Sequence, residues 1–155
     1  TDGWLDPSCE TPYQGKYDNV HACSSKMVAE FVAWIQEQPY ADDTTIVISG
    51  DHLGMQTSYY DDNITEPDYS RTIFNVFINP AAQPTATHGR LFSTFDMYPS
   101  TLAAMGVTIA GDRLALGTNL FSNQPTLVEQ YGTIDALNNI LSQRSEFYEK
   151  QIFLK

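Results

Sequence analysis

The residues whose types and spacing can do chemistry sit together: Ser49-Gly50-Asp51-His52, directly after the apolar run Ile46, Val47 and Ile48. A compact β-branched run ended by glycine reads as a strand buried on both faces, as in a parallel or mixed sheet. In open α/β sheets, ligands lie beyond the carboxyl ends of strands. Gly50 lets the chain turn there, so Asp51 and His52 need not point to opposite faces and both can reach one cation. A carboxylate oxygen beside an imidazole nitrogen suits Zn²⁺ or Mn²⁺ better than Ca²⁺. The spacing by itself also fits a capped loop with no metal.

Two donors do not complete a site, because a catalytic zinc usually has three protein ligands and an open position. The other histidines are His88, in a loop before a helix, and His21, expected to open a helix; each also reads as an ordinary surface residue. Asp61 and Asp62 read as solvated loop acids. Arg71 can pair with an anionic substrate or with a surface carboxylate. No glycine loop for phosphates, no G-x-S-x-G elbow and no C-x-x-C pair is present. No serine or cysteine has a general base beside it in sequence, which nucleophilic catalysis requires.

The elements that must position these residues follow from the pattern. The chain has 155 residues, about one domain, with a formal net charge of −11. Such a charge repels nucleic acid and lacks the basic patch that anchors proteins to anionic lipid. No apolar run reaches the roughly 18–20 residues of a membrane helix. Ser24 or Ser25 is expected to cap a helix running to Gln38, with Met27, Phe31, Val32, Trp34 and Ile35 as its core face and Pro39 as its stop. Residues 53–70 read as a surface loop. Thr72–Ile78 reads as a second strand. Ser93 with Asp96 forms a capping box for a helix whose Leu102, Ala103 and Met105 face the core, with Gly106 after its end. Pro125 opens a short helical turn ending at Gly132, and Thr133 caps a terminal helix. Helix followed by buried strand gives an α/β fold class: a few strands flanked by helices.

Cys9 and Cys23 are the two cysteines, and they flank a polar, turn-rich stretch. A disulfide between them would add about 3 kcal/mol by limiting the unfolded chain and would indicate an oxidising compartment. The alternative is two unrelated buried thiols.

Thr44-Thr-Ile-Val-Ile-Ser-Gly-Asp-His-Leu53 resembles the strand and metal-binding turn of the alkaline phosphatase/sulfatase superfamily. Arg90-Leu-Phe-Ser-Thr-Phe-Asp-Met-Tyr-Pro-Ser-Thr-Leu-Ala-Ala-Met-Gly106 resembles the helix that follows it there. Asp2-Gly3-Trp4-Leu5-Asp6-Pro7-Ser8-Cys9, with Cys23-Ser24, is similar to the bacterial phosphoglycerol transferases (the lipoteichoic acid synthase-like branch), where in the glucan-modifying members a cysteine pair occupies comparable positions.

The resemblance implies a partial alkaline-phosphatase-like α/β/α sandwich from a membrane-anchored enzyme on the outer face of a bacterial membrane, this piece itself being soluble. It implies a divalent cation, Mn²⁺ expected and Zn²⁺ the alternative, with Asp51 and His52 as the late ligand pair. It also implies a threonine nucleophile that takes phosphoglycerol from phosphatidylglycerol and passes it to a glycan or glycerol-phosphate polymer. Nothing in Thr1–Val20 matches the family's first acidic ligand or its nucleophile, and Cys9-Glu-Thr-Pro is out of register with the sulfatase C/S-x-P-x-R motif. Residues 1–155 therefore read as the C-terminal portion of the catalytic domain, expected alone to turn over no phosphodiester, to bind metal weakly and to self-associate through exposed apolar surface or sheet edge. The competing readings are a sulfatase or phosphoethanolamine transferase piece, and a non-catalytic extracellular glycan-binding module acting through Trp4 and the tyrosines.

Overall fold

The structure, a computed structural model, describes residues 3–153. Asp2, in the opening segment quoted above, lies outside the described residues. The chain divides into two compact units, Thr1–Asn79 and Pro80–Lys155. Both helices and strands are present, as the sequence pattern requires.

In the first unit, helix α1 spans Lys16–Gln36. It begins at Gly15 rather than at Ser24 or Ser25, which lie inside it, and His21 is likewise interior rather than at its opening. The earlier start is fixed by Asn19. Its buried side chain donates to the carbonyls of Tyr13 (2.7 Å) and Gly15 (2.9 Å) and accepts from the Tyr13 N–H at 3.0 Å. An asparagine one turn into a helix thus closes the entry that serine was expected to close.

Cys9 and Cys23 form a disulfide with Cα atoms 5.8 Å apart, pinning the irregular N-terminal segment to α1. The expected core face of α1 is not a core: Met27, Phe31 and Trp34 are each more than half exposed.

Strand β1 (Ile46–Ser49) pairs antiparallel with β2 (Asn75–Ile78), with Ser49 opposite Asn75. Ile46, Val47 and Ile48 are half-buried, not enclosed on both faces, because β2 is the one strand hydrogen-bonded to β1 among the described residues. A two-stranded ribbon cannot cover both sides of an apolar run. The connection expected as loop contains helix α2 (Thr57–Asn63), on which Asp61 and Asp62 are exposed as anticipated.

In the second unit the capping box of Ser93 and Asp96 forms as expected. It leads through a 3-10 turn at Thr94–Asp96 into α3 (Met97–Ala104), and Gly106 follows with φ +88°. Ala103 and Ala104 are buried, but Met105 is 65% exposed, so it leaves the predicted core. A hairpin follows, β3 (Arg113–Leu114) with β4 (Gly117–Thr118), then α4 (Leu127–Tyr131) and α5 (Ile134–Leu141). Thr126 caps α4, one residue after the Pro125 expected to open this turn, and Gly132 ends it; Thr133 caps α5 by accepting from Ala136 N–H at 3.1 Å.

The buried apolar residues among those described include Pro99, Ala103, Ala104, Phe121, Val128 and Leu137, all in this unit. Asp96 ties it together. Its Oδ1 accepts from Thr118 N–H at 2.7 Å and its Oδ2 from Ser93 N–H at 2.9 Å. Ser100 Oγ adds a bond to the Asp96 carbonyl (2.6 Å) and accepts from Leu120 N–H at 2.9 Å.

The Arg90–Glu129 pair is the second tie. Arg90 Nε and Nη2 donate to Glu129 Oε1 and Oε2 at 2.7 and 2.9 Å, and its other donors reach the carbonyls of Ser122 and Gln124. Arg90 first, then the backbone N–H groups of Thr126 and Leu91, hold the Glu129 carboxyl down to about 2, from an ordinary 4.5. A depressed carboxylate stabilises the fold above its unfolded pKa and loses that contribution as pH falls toward the folded value. The Glu129 side chain is 23% exposed, so the contribution is discounted for solvent screening to about 2 kcal/mol. The stability of this unit toward thermal unfolding should fall by most of that amount between pH 6 and pH 2.5. Glu129→Gln should be less stable at pH 6 and should lose this pH dependence.

Candidate metal and anion site

Gly50 extends the β1–β2 ladder, its N–H donating to Phe74 O at 2.8 Å, and the next residues leave the sheet together. Asp51 and His52 then converge, with Asp51 Oδ2 3.3 Å from His52 Nε2. The turn is locked locally, since Asp51 Oδ1 accepts from the His52 backbone N–H at 2.9 Å. His52 Nδ1 lies 2.8 Å from the Leu53 carbonyl oxygen. A carbonyl only accepts, so Nδ1 carries the hydrogen. In the neutral ring this leaves the Nε2 lone pair facing the Asp51 carboxylate. Two electron-rich atoms so placed attract one another only through a cation between them or a proton on the ring. The donor set and the fixed tautomer therefore suit a divalent cation.

The side chains of Asp51 and His52 are 88% and 56% exposed. Among the described residues no group of three or more His, Cys, Asp or Glu side chains is gathered to hold a metal. His88 lies in the second unit, its Nδ1 3.0 Å from Thr87 Oγ1, and His21 stacks edge-on against Tyr17 on α1. Within the first unit, His21 is not part of a metal-holding group with Asp51 and His52 among the described residues.

Sequence reasoning missed the tyrosine cluster beside this turn. Tyr17 from α1 meets Tyr59 and Tyr60 from α2 edge-to-face, with centroids 4.7 and 6.3 Å away. The Tyr17 and Tyr60 hydroxyls are 3.1 Å apart, and the Tyr59 hydroxyl donates to Asp18. The Tyr60 hydrogen bond, followed by burial, pushes Tyr17 up to about 12, and the Asp18 carboxylate likewise raises Tyr59. This cluster fixes α2 and places the Tyr60 ring under the Arg71 guanidinium, 4.3 Å from Cζ to centroid. Arg71 Nη1 donates to Gly54 O at 3.0 Å. A cavity of about 210 Å³ opens between His52, Gly54, Tyr60 and Arg71. The available signal was the adjacent pair Tyr59-Tyr60, too weak to separate from loop composition.

The family model named Sulfatase matches residues 5–107. The chain is 29% identical over 130 residues to "Phosphoglycerol transferase I" of Salmonella choleraesuis (strain SC-B67), an alignment that covers 79% of this chain and 16% of that protein. The chain thus spans well under a fifth of the length of the relative it matches. No solved structure is a significant match. The matched region runs through the Asp51–His52 turn and on past α3. This chain belongs to the sulfatase family.

Proposed function

We propose that this chain is the C-terminal portion of the catalytic domain of a membrane-anchored phosphoglycerol transferase on the extracellular face of a bacterial membrane. The enzyme moves phosphoglycerol from phosphatidylglycerol to a glycan or polyol-phosphate acceptor. The observation that carries this is the convergence of Asp51 and His52 at the end of β1, with the ring tautomer set by Leu53. The sulfatase-family match supports an enzyme of this superfamily, and the 29% identical relative favours the transferase branch.

Asp51 and His52 would hold a divalent cation, Mn²⁺ first and Zn²⁺ second. When bound, such a cation supplies charge stabilisation at the nucleophile's oxygen and at phosphorus. The Leu53 carbonyl keeps Nε2 free and aimed at the carboxylate. The nucleophile lies on a segment outside this chain, as does the third ligand. The first unit has the character of a piece awaiting cover. Its helix α1 shows apolar side chains to solvent, and both amide atoms of Asn75 are buried without a hydrogen-bond partner among the described residues, an arrangement proteins seldom leave uncompensated.

The family match keeps a sulfatase as the second reading. The full-length protein that carries this chain separates them. It is expected to transfer labelled glycerol phosphate from phosphatidylglycerol vesicles to an acceptor and to leave aryl sulfates intact. Faster turnover of an aryl sulfate would transfer the assignment to the sulfatases.

A further inference from the structure

We propose that Arg71 binds the anionic phosphate of the substrate headgroup in the cavity beside His52. The identity of that headgroup rests on the function proposed above; the anion site does not. Arg71 is half-buried and makes no ion pair within 4.0 Å among the described residues. In a chain of net charge −11, a half-buried guanidinium without a carboxylate partner is conspicuous. It is held instead by groups that do not neutralise it, the face of Tyr60 and the carbonyl of Gly54. Stacking fixes the plane of the guanidinium while leaving its edge free for hydrogen bonding, and a planar fork is suited to two phosphate oxygens at once.

The cavity that Arg71 lines also has His52 on its wall. An anion there would sit beside the candidate cation ligand, the juxtaposition a phosphoryl group needs. The volume of about 210 Å³ falls below the roughly 300–1,000 Å³ of pockets that enclose drug-sized ligands. It suits a polar headgroup, not an acyl chain. The larger cavity of about 410 Å³ beside Trp4 and Phe31 is apolar-walled and holds no cationic residue. The one of about 290 Å³ beside the disulfide places Glu10 and Glu30 with Lys26 and is poorly matched to an anion.

The test uses the full-length protein and isothermal titration with sn-glycerol 1-phosphate, inorganic phosphate and glycerol, alongside transfer kinetics. Arg71→Gln is expected to weaken glycerol phosphate and phosphate binding at least tenfold and to raise KM more than it lowers kcat. Mn²⁺ affinity should be unchanged, and glycerol should bind neither protein measurably. Arg71→Lys, which keeps charge but loses the planar stack, should fall between. Unchanged phosphate binding in Arg71→Gln overturns the proposal. Should that variant unfold, a folded Arg71→Lys that binds phosphate as tightly as the parent overturns it equally. If Arg71→Gln loses phosphate binding while the unsubstituted protein transfers no phosphoglycerol, the anion site stands and the transferase reading falls.

Discussion

Gly117→Ala is expected to cost at least about 3 kcal/mol and to abolish native packing across residues 80–153. A Cβ built at Gly117 would lie 2.0 Å from the Phe95 carbonyl oxygen and 2.9 Å from Pro99 Cγ. Neither can yield by rotating a side chain. The Phe95 carbonyl is backbone within the turn that precedes α3, and Pro99 is a fully buried ring. Moving β4 away would pull Thr118 N–H off Asp96, which is itself buried. Gly132→Ala is the matched control. That glycine has φ +84° and open space around its Cβ position, so the change should cost about 1–2 kcal/mol from backbone strain alone. Amide hydrogen exchange of residues 80–153 in the two variants decides the matter. Protection lost in Gly117→Ala and retained in Gly132→Ala is the expected result; equal protection would contradict the packing described.

That contrast shows how much of the fold is legible in advance. The Ser93–Asp96 box, Gly106, Gly132 and Thr133 were readable because caps and left-handed turns are decided within four residues. The close approach of Gly117 to Phe95 joins positions 22 apart and leaves no local trace beyond a glycine in a turn. The start of α1 escapes the sequence for a related reason, since Asn19 caps from inside the helix and its bonds to Tyr13 and Gly15 leave no local pattern. The apolar stripe of α1 reads as core in the sequence because periodicity reports amphipathicity and not the presence of a covering partner. Among the described residues that stripe is largely exposed.

Asp51→Ala is the second large effect. In the full-length protein it is expected to reduce phosphoglycerol transfer by more than a hundredfold, equivalent to about 2.7 kcal/mol of transition-state stabilisation. Losing an outer-shell partner of a metal ligand already costs roughly 10–100-fold, and Asp51 is proposed as a ligand itself. Its side chain is 88% exposed and its one backbone bond lies within the same turn. The substitution should therefore leave thermal stability within about 0.5 kcal/mol of the parent. A large loss of activity with little loss of stability is the pattern of a functional residue. A parallel fall in both would assign Asp51 a structural role.

The candidate site was partly legible. A glycine followed by an acid and an imidazole at the end of a β-branched run can be seen in the sequence, and the two groups do meet at 3.3 Å. What hid the rest was distance along the chain. Tyr60 stacks on Arg71 because Tyr17, more than forty positions earlier, fixes α2. Arg71 reads in the sequence as a partner for either an anionic substrate or a surface carboxylate, and its stacking on Tyr60 is what separates the two.

The central claim is that Asp51 and His52 share a divalent cation, and Mn²⁺ titration of the full-length protein, followed by electron paramagnetic resonance, tests it most directly. Loss of at least a tenfold share of affinity in both Asp51→Ala and His52→Ala, with Arg71→Gln binding as the parent does, is the result expected. Undiminished Mn²⁺ affinity in both variants would contradict it.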